Sequence, residues 1–297
     1  METAQYKTEG KTRSLVLFAV ADCTGHGVHG AMVSVVCAGA LNRAINEFKL
    51  SDVGEILNKV TELVVEALNK NENDVQDGMD IALCGLDISQ KVLYASGANN
   101  PIWIISQNEK LKTSVEYKSF KEETANGLFL HEFKSLKKHI GLSEQTTKFS
   151  SHEIQLNPGD TIYLFSDGYA DQFGGQRGKK FKYSSFRKLL LENYHKAMES
   201  QKVIINDSFE NWRGDEEQID DVCVIGVKIN GKEQNNFTKR EIEVLEYLIT
   251  GLTSKLIADK MNISTHTVDT YRRRLLAKTN THNSTELINY AKEKEII

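Results

Sequence analysis

The residues of this chain best placed to do chemistry are aspartates that close apolar runs and lie far apart in sequence. Asp22 ends Leu15-Val-Leu-Phe-Ala-Val-Ala21 and opens the turn Asp22-Cys-Thr-Gly-His-Gly27. Asp167 ends Thr161-Ile-Tyr-Leu-Phe-Ser166 and precedes Gly168. Asp220 and Asp221 open Val222-Cys-Val-Ile-Gly-Val-Lys-Ile229. A strand end sets a carboxylate at a sheet edge, and a following glycine lets the backbone turn away sharply. Carboxylates converging from several strand ends make a hard, oxygen-rich site suited to Mg²⁺ or Mn²⁺.

The elements that must carry them follow from periodicity. Residues 28–48 place Ala31, Val35, Ala38, Leu41 and Ile45 at helical spacing, and residues 52–69 do the same with Ile56, Val60, Leu63, Val64 and Leu68. Strands are expected at 79–87, 91–96 and 101–106, the last two joined as a hairpin by Ser96-Gly-Ala-Asn-Asn-Pro101. Residues 107–150 read as polar and irregular. Strands return at 152–156 and 160–166 around the turn Asn157-Pro-Gly-Asp160, where Asp160 is a turn residue. Helices at 184–193 and 197–212 precede the strand at 222–229. Paired helices with many antiparallel strands predict an α+β fold, an α-β-β-α layered sandwich.

Residues 230–236 are polar without periodicity and read as a linker between a domain at 1–229 and a small all-α domain at 237–297. The second domain shows helix-start signals. Thr238-Lys-Arg-Glu241 is a capping box, and Asn283-Ser-Thr-Glu286 repeats its logic. Ser264 caps a third helix, and Gly251 ends the first. Val244, Leu245, Leu248, Ile257, Ala258, Val268, Leu275, Leu287 and Ile288 form its expected core.

The chain has 297 residues, 40% hydrophobic and 26% charged, and a formal net charge of −4. The charge is uneven, because residues 236–297 hold 10 Lys/Arg against 8 Asp/Glu while the rest is acidic. The acidic part is a poor nucleic-acid binder, and the tail permits one. Cys23, Cys37, Cys84 and Cys223 are scattered without a C-x-x-C pair, so they read as reduced packing residues rather than zinc ligands. With no signal-peptide pattern and no apolar run near the ~20 residues of a span, the expected location is the cytoplasm, off the membrane.

Asp22-Cys-Thr-Gly-His-Gly-Val-His-Gly-Ala31 resembles the D-x-x-G-H-G-x-x-G-A motif of SpoIIE-like serine phosphatases, the bacterial branch of the metal-dependent type 2C phosphatases. The resemblance continues through Gly78-Met-Asp-Ile-Ala-Leu, Tyr94-Ala-Ser-Gly-Ala-Asn-Asn-Pro101, Gly159–Gly168 and Asp220-Asp-Val-Cys-Val-Ile-Gly. It implies two sheets flanked by helix pairs and two Mn²⁺ or Mg²⁺ ions. Asp22 would bridge the ions, the carbonyl of Cys23 would add a ligand, and Asp167 and Asp220 would complete the set. Asp221 would assist or cap the strand, Asp171 would lie near the metals, and His26 would position phosphate or pack the turn. The implied reaction is attack of a metal-activated water on phosphoserine or phosphothreonine of a regulatory protein, often an anti-sigma-factor antagonist. His29 stands where the family commonly has Pro. Met1–Ser14 contain no Asp, so the domain is expected to lack its first strand or strands. The alternative is a catalytically inactive sensor or dimerisation unit.

Residues 236–297 resemble the LuxR-type helix-turn-helix domain, through Phe237–Leu245, Gly251–Lys260, Ile263–Val268 and Leu287–Ala291. That implies binding of duplex DNA as a homodimer, with 254–261 as supporting helix and 265–278 as recognition helix. Thr265, His266, Thr267 and Thr270 are then candidates for base edges. Lys255, Arg272, Arg273, Arg274 and Lys278 are candidates for phosphates. Tyr271 replaces a frequent His, and Thr279 a usual Leu. Together the two resemblances predict a cytoplasmic regulator that combines a phosphatase domain with a DNA-binding domain.

Overall fold

Alternating side chains along the strands sort the larger part of this protein into layers. The computed structural model describes residues 2–8, 11–25, 27–68, 77–121, 127–141, 147–230, 237–279 and 281–293. It divides into two units, residues 1–229 and 230–297. His26 and residues 231–236 of the expected linker lie outside the described residues.

The first unit begins with β1 (Glu2–Thr8), β2 (Lys11–Cys23), α1 (Gly27–Asn46) and α2 (Val53–Leu68). Then come β3 (Met79–Asp87), β4 (Val92–Ala98), β5 (Ile102–Ser106), β6 (Lys112–Thr113), β7 (Tyr117–Lys121), β8 (Phe129–Phe133), β9 (His152–Gln155) and β10 (Thr161–Phe165). The short α3 (Gly168–Asp171), β11 (Phe173–Gly174) and β12 (Lys179–Lys180) lead to α4 (Tyr183–Asn193), α5 (Met198–Arg213) and β13 (Val224–Lys228). One antiparallel sheet has the order β1-β2-β3-β4-β9-β6 and the other β13-β10-β5-β8-β7.

Period-2 alternation assigns each strand residue to one of three apolar layers. Phe18, Val20, Ala82 and Cys84 of the first sheet meet Ile104, Ile162 and Leu164 of the second between the sheets. Leu15, Leu17, Ile81 and Leu83 face the opposite way and pack on α1 and α2 through Val33, Cys37, Ile56 and Val60. Trp103, Ile105, Tyr163 and Phe165 pack outward on Phe186, Leu190 and Phe209 of α4 and α5. Helices thus cover both outer faces, giving the expected α-β-β-α sandwich.

Four details correct the sequence reading. First, Ser96–Pro101 does not close a hairpin, because β4 pairs with β3 and β9 while β5 pairs with β10 and β8. The turn carries the chain from one sheet to the other, and β5 is buried on both faces as a result. Second, residues 107–150 are not structureless, since β6, β7 and β8 lie within them. Third, residues 2–8 do form a strand, antiparallel to β2 with Glu2 opposite Leu17. Backbone pairing at a sheet edge needs no apolar pattern, so no local signal marks this strand. Fourth, α1 buries Gly30, Val33, Cys37, Ala40 and Ala44, while Ala31, Val35 and Ala38 of the predicted set are exposed. The small side chains seat the helix closely, and bulk was a misleading guide to its inner face. By length and apolarity α1 is the one helix among the described residues able to cross a membrane. Here its inner face packs on α2 and β2.

The second unit holds α6 (Lys239–Ile249), α7 (Ser254–Met261), α8 (Thr265–Thr279) and α9 (Ser284–Glu293). Both halves of the capping box form: Glu241 N–H donates to Thr238 Oγ1 at 3.3 Å, and Thr238 N–H to Glu241 Oε2 at 2.6 Å. Ser264 Oγ accepts from Thr267 N–H at 3.1 Å and Asn283 Oδ1 from Glu286 N–H at 2.9 Å. Val244, Leu245, Ile257, Val268, Leu275 and Leu287 make the core. Ile288 is only half-buried. Thr279 sits in this core without an orphaned hydroxyl, because its Oγ1 donates to Leu275 O at 2.8 Å.

Candidate metal centre and nucleic-acid face

Three chain segments bring their carboxylates together. Oxygens of Asp22, at the end of β2, of Asp167, after β10, and of Asp220, before β13, all lie within 4.8 Å of one another. The neighbouring backbone explains the convergence. Ser166 Oγ donates to Asp221 O at 2.8 Å and accepts from Cys223 N–H at 3.0 Å, which ties the two strand ends together. A Cβ at Gly168 would lie 2.6 Å from Asp221 O, so only glycine permits this approach. Gly25 and Gly27 take φ of +87° and +64°, as the turn after Asp22 requires. Gly30 is needed for a related reason, since a Cβ there would sit 2.5 Å from Gly25 O.

The electrostatics are those of a site short of positive charge. Burial first, and then the charges of Asp220 and Asp167, push the Asp22 carboxyl up to about 7. Burial and then Asp220 and Asp171 raise Asp167 as well. Asp167 Oδ1 is buried and has no hydrogen-bond partner. No Lys or Arg ion pair involves the three residues among the described residues. Like charges held together in this way repel, and a hard divalent cation relieves the repulsion with the oxygen donors it prefers. The donor set fits such an ion.

The other expected residues divide. Asp221 N–H donates to Asp220 Oδ1 at 2.8 Å, so Asp221 helps orient its neighbour through the backbone. Asp171 pairs with Lys180 at 2.9 Å and faces the centre only through its charge. Cys23 and Cys223 line a cleft of about 260 Å³ beside Asp22, together with Gly25, Ser34 and Asp221. Asp160 is the turn residue expected, accepting from Asn157 N–H at 2.8 Å.

Several supports escaped the sequence reading. Asp80 faces Asp22 across the β2–β3 ladder and is bonded to His139 Nδ1 at 2.8 Å and Asn99 Nδ2 at 2.7 Å. His29 Nε2 lies 3.0 Å from Asp77 Oδ1, and Thr24 Oγ1 donates to the same oxygen at 3.2 Å. Buried Gln172 donates to Glu217 O at 2.9 Å and accepts from Ile219 N–H at 3.4 Å, pinning the loop that presents Asp220. The Gly78-Met-Asp80 motif was the one available signal for Asp80. Nothing local marks Gln172.

In the helical unit, α8 shows Thr265, His266, Arg273 and Arg274 to solvent, and Lys255 of α7 is exposed too. Thr267 and Thr270 are half-buried, and Thr270 Oγ1 donates to His266 O at 2.9 Å. Two of the residues expected at phosphates are engaged within the unit. Arg272 turns inward and donates to Ser254 Oγ at 2.6 Å and Ser284 Oγ at 2.7 Å, which links α8 to α7 and α9. Lys278 pairs with buried Glu241 at 2.7 Å. Burial raises the Glu241 carboxyl, but the hydrogen bonds from Lys278 and Thr238 outweigh it and hold it below its ordinary value.

Comparison with known proteins finds relatives for both units. Residues 12–230 match the family model of stage II sporulation protein E (SpoIIE), and residues 235–291 match that of the luxR family of bacterial regulatory proteins. The chain is similar in structure to the SiaA-PP2C domain of Pseudomonas aeruginosa, with TM-score 0.59, 23% identity, and 76% of this chain and 79% of that one covered. It is also similar to the PP2C phosphatase domain of SpoIIE from Bacillus subtilis, with TM-score 0.51, 13% identity, and coverage of 76% and 57%. At these identities the likeness shows the fold. Among curated relatives, the probable transcriptional regulator ycf29 of Cyanophora paradoxa is 47% identical over 62 residues, which are 21% of this chain and 30% of that protein. The Fimbriae Z protein of Escherichia coli K12 is 42% identical over 60 residues, 20% and 29% respectively. The chain therefore spans about 30% of the length of the curated relatives it matches.

Proposed function

Because the chain belongs to the SpoIIE family and carries a luxR-family module at its C-terminus, we propose that it is a cytoplasmic regulator that removes phosphate from phosphoserine or phosphothreonine on a protein and binds duplex DNA. The observation that carries the catalytic part is the convergence of Asp22, Asp167 and Asp220 within 4.8 Å, with a buried Asp167 oxygen left unpartnered. These three carboxylates, with the Cys23 carbonyl beside them, would hold Mn²⁺ or Mg²⁺, two ions if the family arrangement applies. A divalent ion bound there supplies an acidified water and charge neutralisation at the phosphoryl oxygens. The protein's part is positional. Ser166 and Gly168 fix the approach of the Asp167 and Asp220 segments, and Gln172 holds the Asp220 loop. The cleft beside Asp22 admits a phosphorylated side chain. An anti-sigma-factor antagonist is the kind of phosphoprotein substrate that the family resemblance implies.

For DNA, α8 would enter the major groove as a homodimer on a two-fold site, with Thr265, His266 and Thr267 toward bases. Lys255, Arg273 and Arg274 would meet phosphates. The test of catalysis is hydrolysis of p-nitrophenyl phosphate by the full chain. Turnover is expected with Mn²⁺, absent after chelation and absent in Asp167→Ala. Failure of the wild type to turn over with any divalent ion would leave the inactive, sensory reading of the domain.

A further inference from the structure

A second hollow of the first unit lies apart from the cleft beside Asp22. It is an open groove of about 1020 Å³ between α5 and the outer face of β13, lined by Tyr163, Met198, Lys202, Val203, Phe209 and Val224 among others. Val222 lines both this groove and the cleft beside Asp22, so the two hollows meet at the segment that carries Asp220 and Asp221. We propose that this groove docks the substrate, and that the segment it takes is extended and basic, running along β13 with its phosphorylated residue at the metal cleft. This deepens the phosphatase reading and rests on it.

Three observations carry it. First, among the described residues β13 ends its sheet and pairs only with β10. Ile229 N–H donates to Asp160 O, and Cys223 O accepts from Ser166 N–H, so the odd-numbered residues bond inward. By antiparallel alternation Val224, Gly226 and Lys228 turn their N–H and C=O groups to the open edge, where no other described residue meets them. Such an edge is a template for an added strand. Second, the groove is apolar where a side chain would enter. Val203 is 57% exposed on its wall, and Gly226 is exposed on its floor beside Met198 and Tyr163. Third, charge selects the occupant. Residues 198–228 contain eight acids and three bases. Glu199 and Asp207 line the groove without an ion pair among the described residues, and the Asp215, Glu216 and Glu217 run lies exposed before the Asp220 loop. Of the bases, Arg213 is bound to Glu210 at 2.6 Å, which leaves Lys202 and Lys228 against the seven other acids. The groove faces a positive segment better than an acidic one or an anionic membrane.

The experiment uses the full chain and two fluorescein-labelled phosphoserine peptides, one with Lys/Arg flanks and one with Asp/Glu flanks. Binding is read by anisotropy in metal-free buffer, and p-nitrophenyl phosphate turnover is read separately. The basic peptide should bind, and the acidic one should not. The double reversal Glu199→Lys/Asp207→Lys should weaken the basic peptide about tenfold, more at low salt than at high, because exposed charges are screened. Val224→Pro removes an outward N–H without touching the β10 ladder and should weaken binding as well. Neither change should alter p-nitrophenyl phosphate turnover. Equal binding of both peptides, or wild-type affinity in both variants, overturns the proposal. So does a wild-type dimer that both variants dissociate, since a second copy would then occupy the groove. Selective binding without any turnover would keep the groove and sink the catalytic reading instead.

Discussion

Charge is left open in one part of this chain and closed off in another. At the end of β2, Asp22, Asp167 and Asp220 crowd together, and among the described residues no Lys or Arg pairs with them. In the helical unit, Lys278 answers Glu241, and Arg272 is held by two serines. The first arrangement costs stability as it stands and is justified only by what it binds. The second adds stability and needs no ligand. Residue type does not separate them, because an arginine in a luxR-type recognition helix looks like a DNA contact until its partners are seen. Satisfaction separates them: the unsatisfied groups mark function and the satisfied ones mark architecture.

The largest effect should come from two aspartates four residues apart. Asp167→Asn should lower Mn²⁺-dependent hydrolysis by more than about 100-fold, beyond the usual cost of an outer-shell change. Asp171→Asn, whose side chain is committed to Lys180, should cost less than about 10-fold, below the range of an outer-shell change. Equal losses would erase the distinction between open and paired carboxylates.

Next in size is the closed network. Glu241→Ala removes the acceptor of Thr238 N–H and the ion pair with Lys278, so it should destabilise the helical unit by about 2–3 kcal/mol. That figure is discounted because the Lys278 side chain is 33% exposed. Thermal unfolding of residues 230–297 within the full chain measures it.

The arginines sharpen the comparison further. Arg273→Ala should flatten the salt dependence of DNA affinity by about one unit and leave the melting temperature alone. Arg272→Ala should do the reverse, lowering the melting temperature and leaving the slope unchanged. An anisotropy series over salt concentration, paired with thermal scans, distinguishes them.

The smallest effect concerns pH. The Asp22 carboxyl is raised in the folded state to about 7, against an ordinary value of 3.8. Its unfolded form releases a proton near 4 while the folded form keeps it, so the metal-free fold loses stability as pH rises from 4 to 7. Above 7 the penalty is complete. Asp22→Asn should therefore stabilise the metal-free protein at pH 8 by at most about 1 kcal/mol, since the cluster opens to water. At pH 4 it should do nothing.

The sandwich and the three aspartates were legible because their signals are local. An apolar run, an Asp and a Gly stand in sequence at residues 15–25 and again at 161–168. Sheet membership was not, since the turn at Ser96–Pro101 has the same composition whether it closes a hairpin or crosses between sheets. The supports of the site were hidden for the same reason. Gln172 reaches residues 217–219 and His139 reaches Asp80 through the fold alone. Arg272 was readable in principle. It lies four residues after buried Val268 and three before buried Leu275, on the inward face of α8.

The central claim is that the three carboxylates form a divalent-metal site, and calorimetric titration of the full chain with Mn²⁺ at pH 8 tests it most directly. The wild type should bind, with affinity falling as pH drops below about 7, where protons compete for Asp22. The Asp22→Asn/Asp167→Asn variant, folded by circular dichroism, should show no heat of binding. Equal binding by the folded double variant would contradict the account.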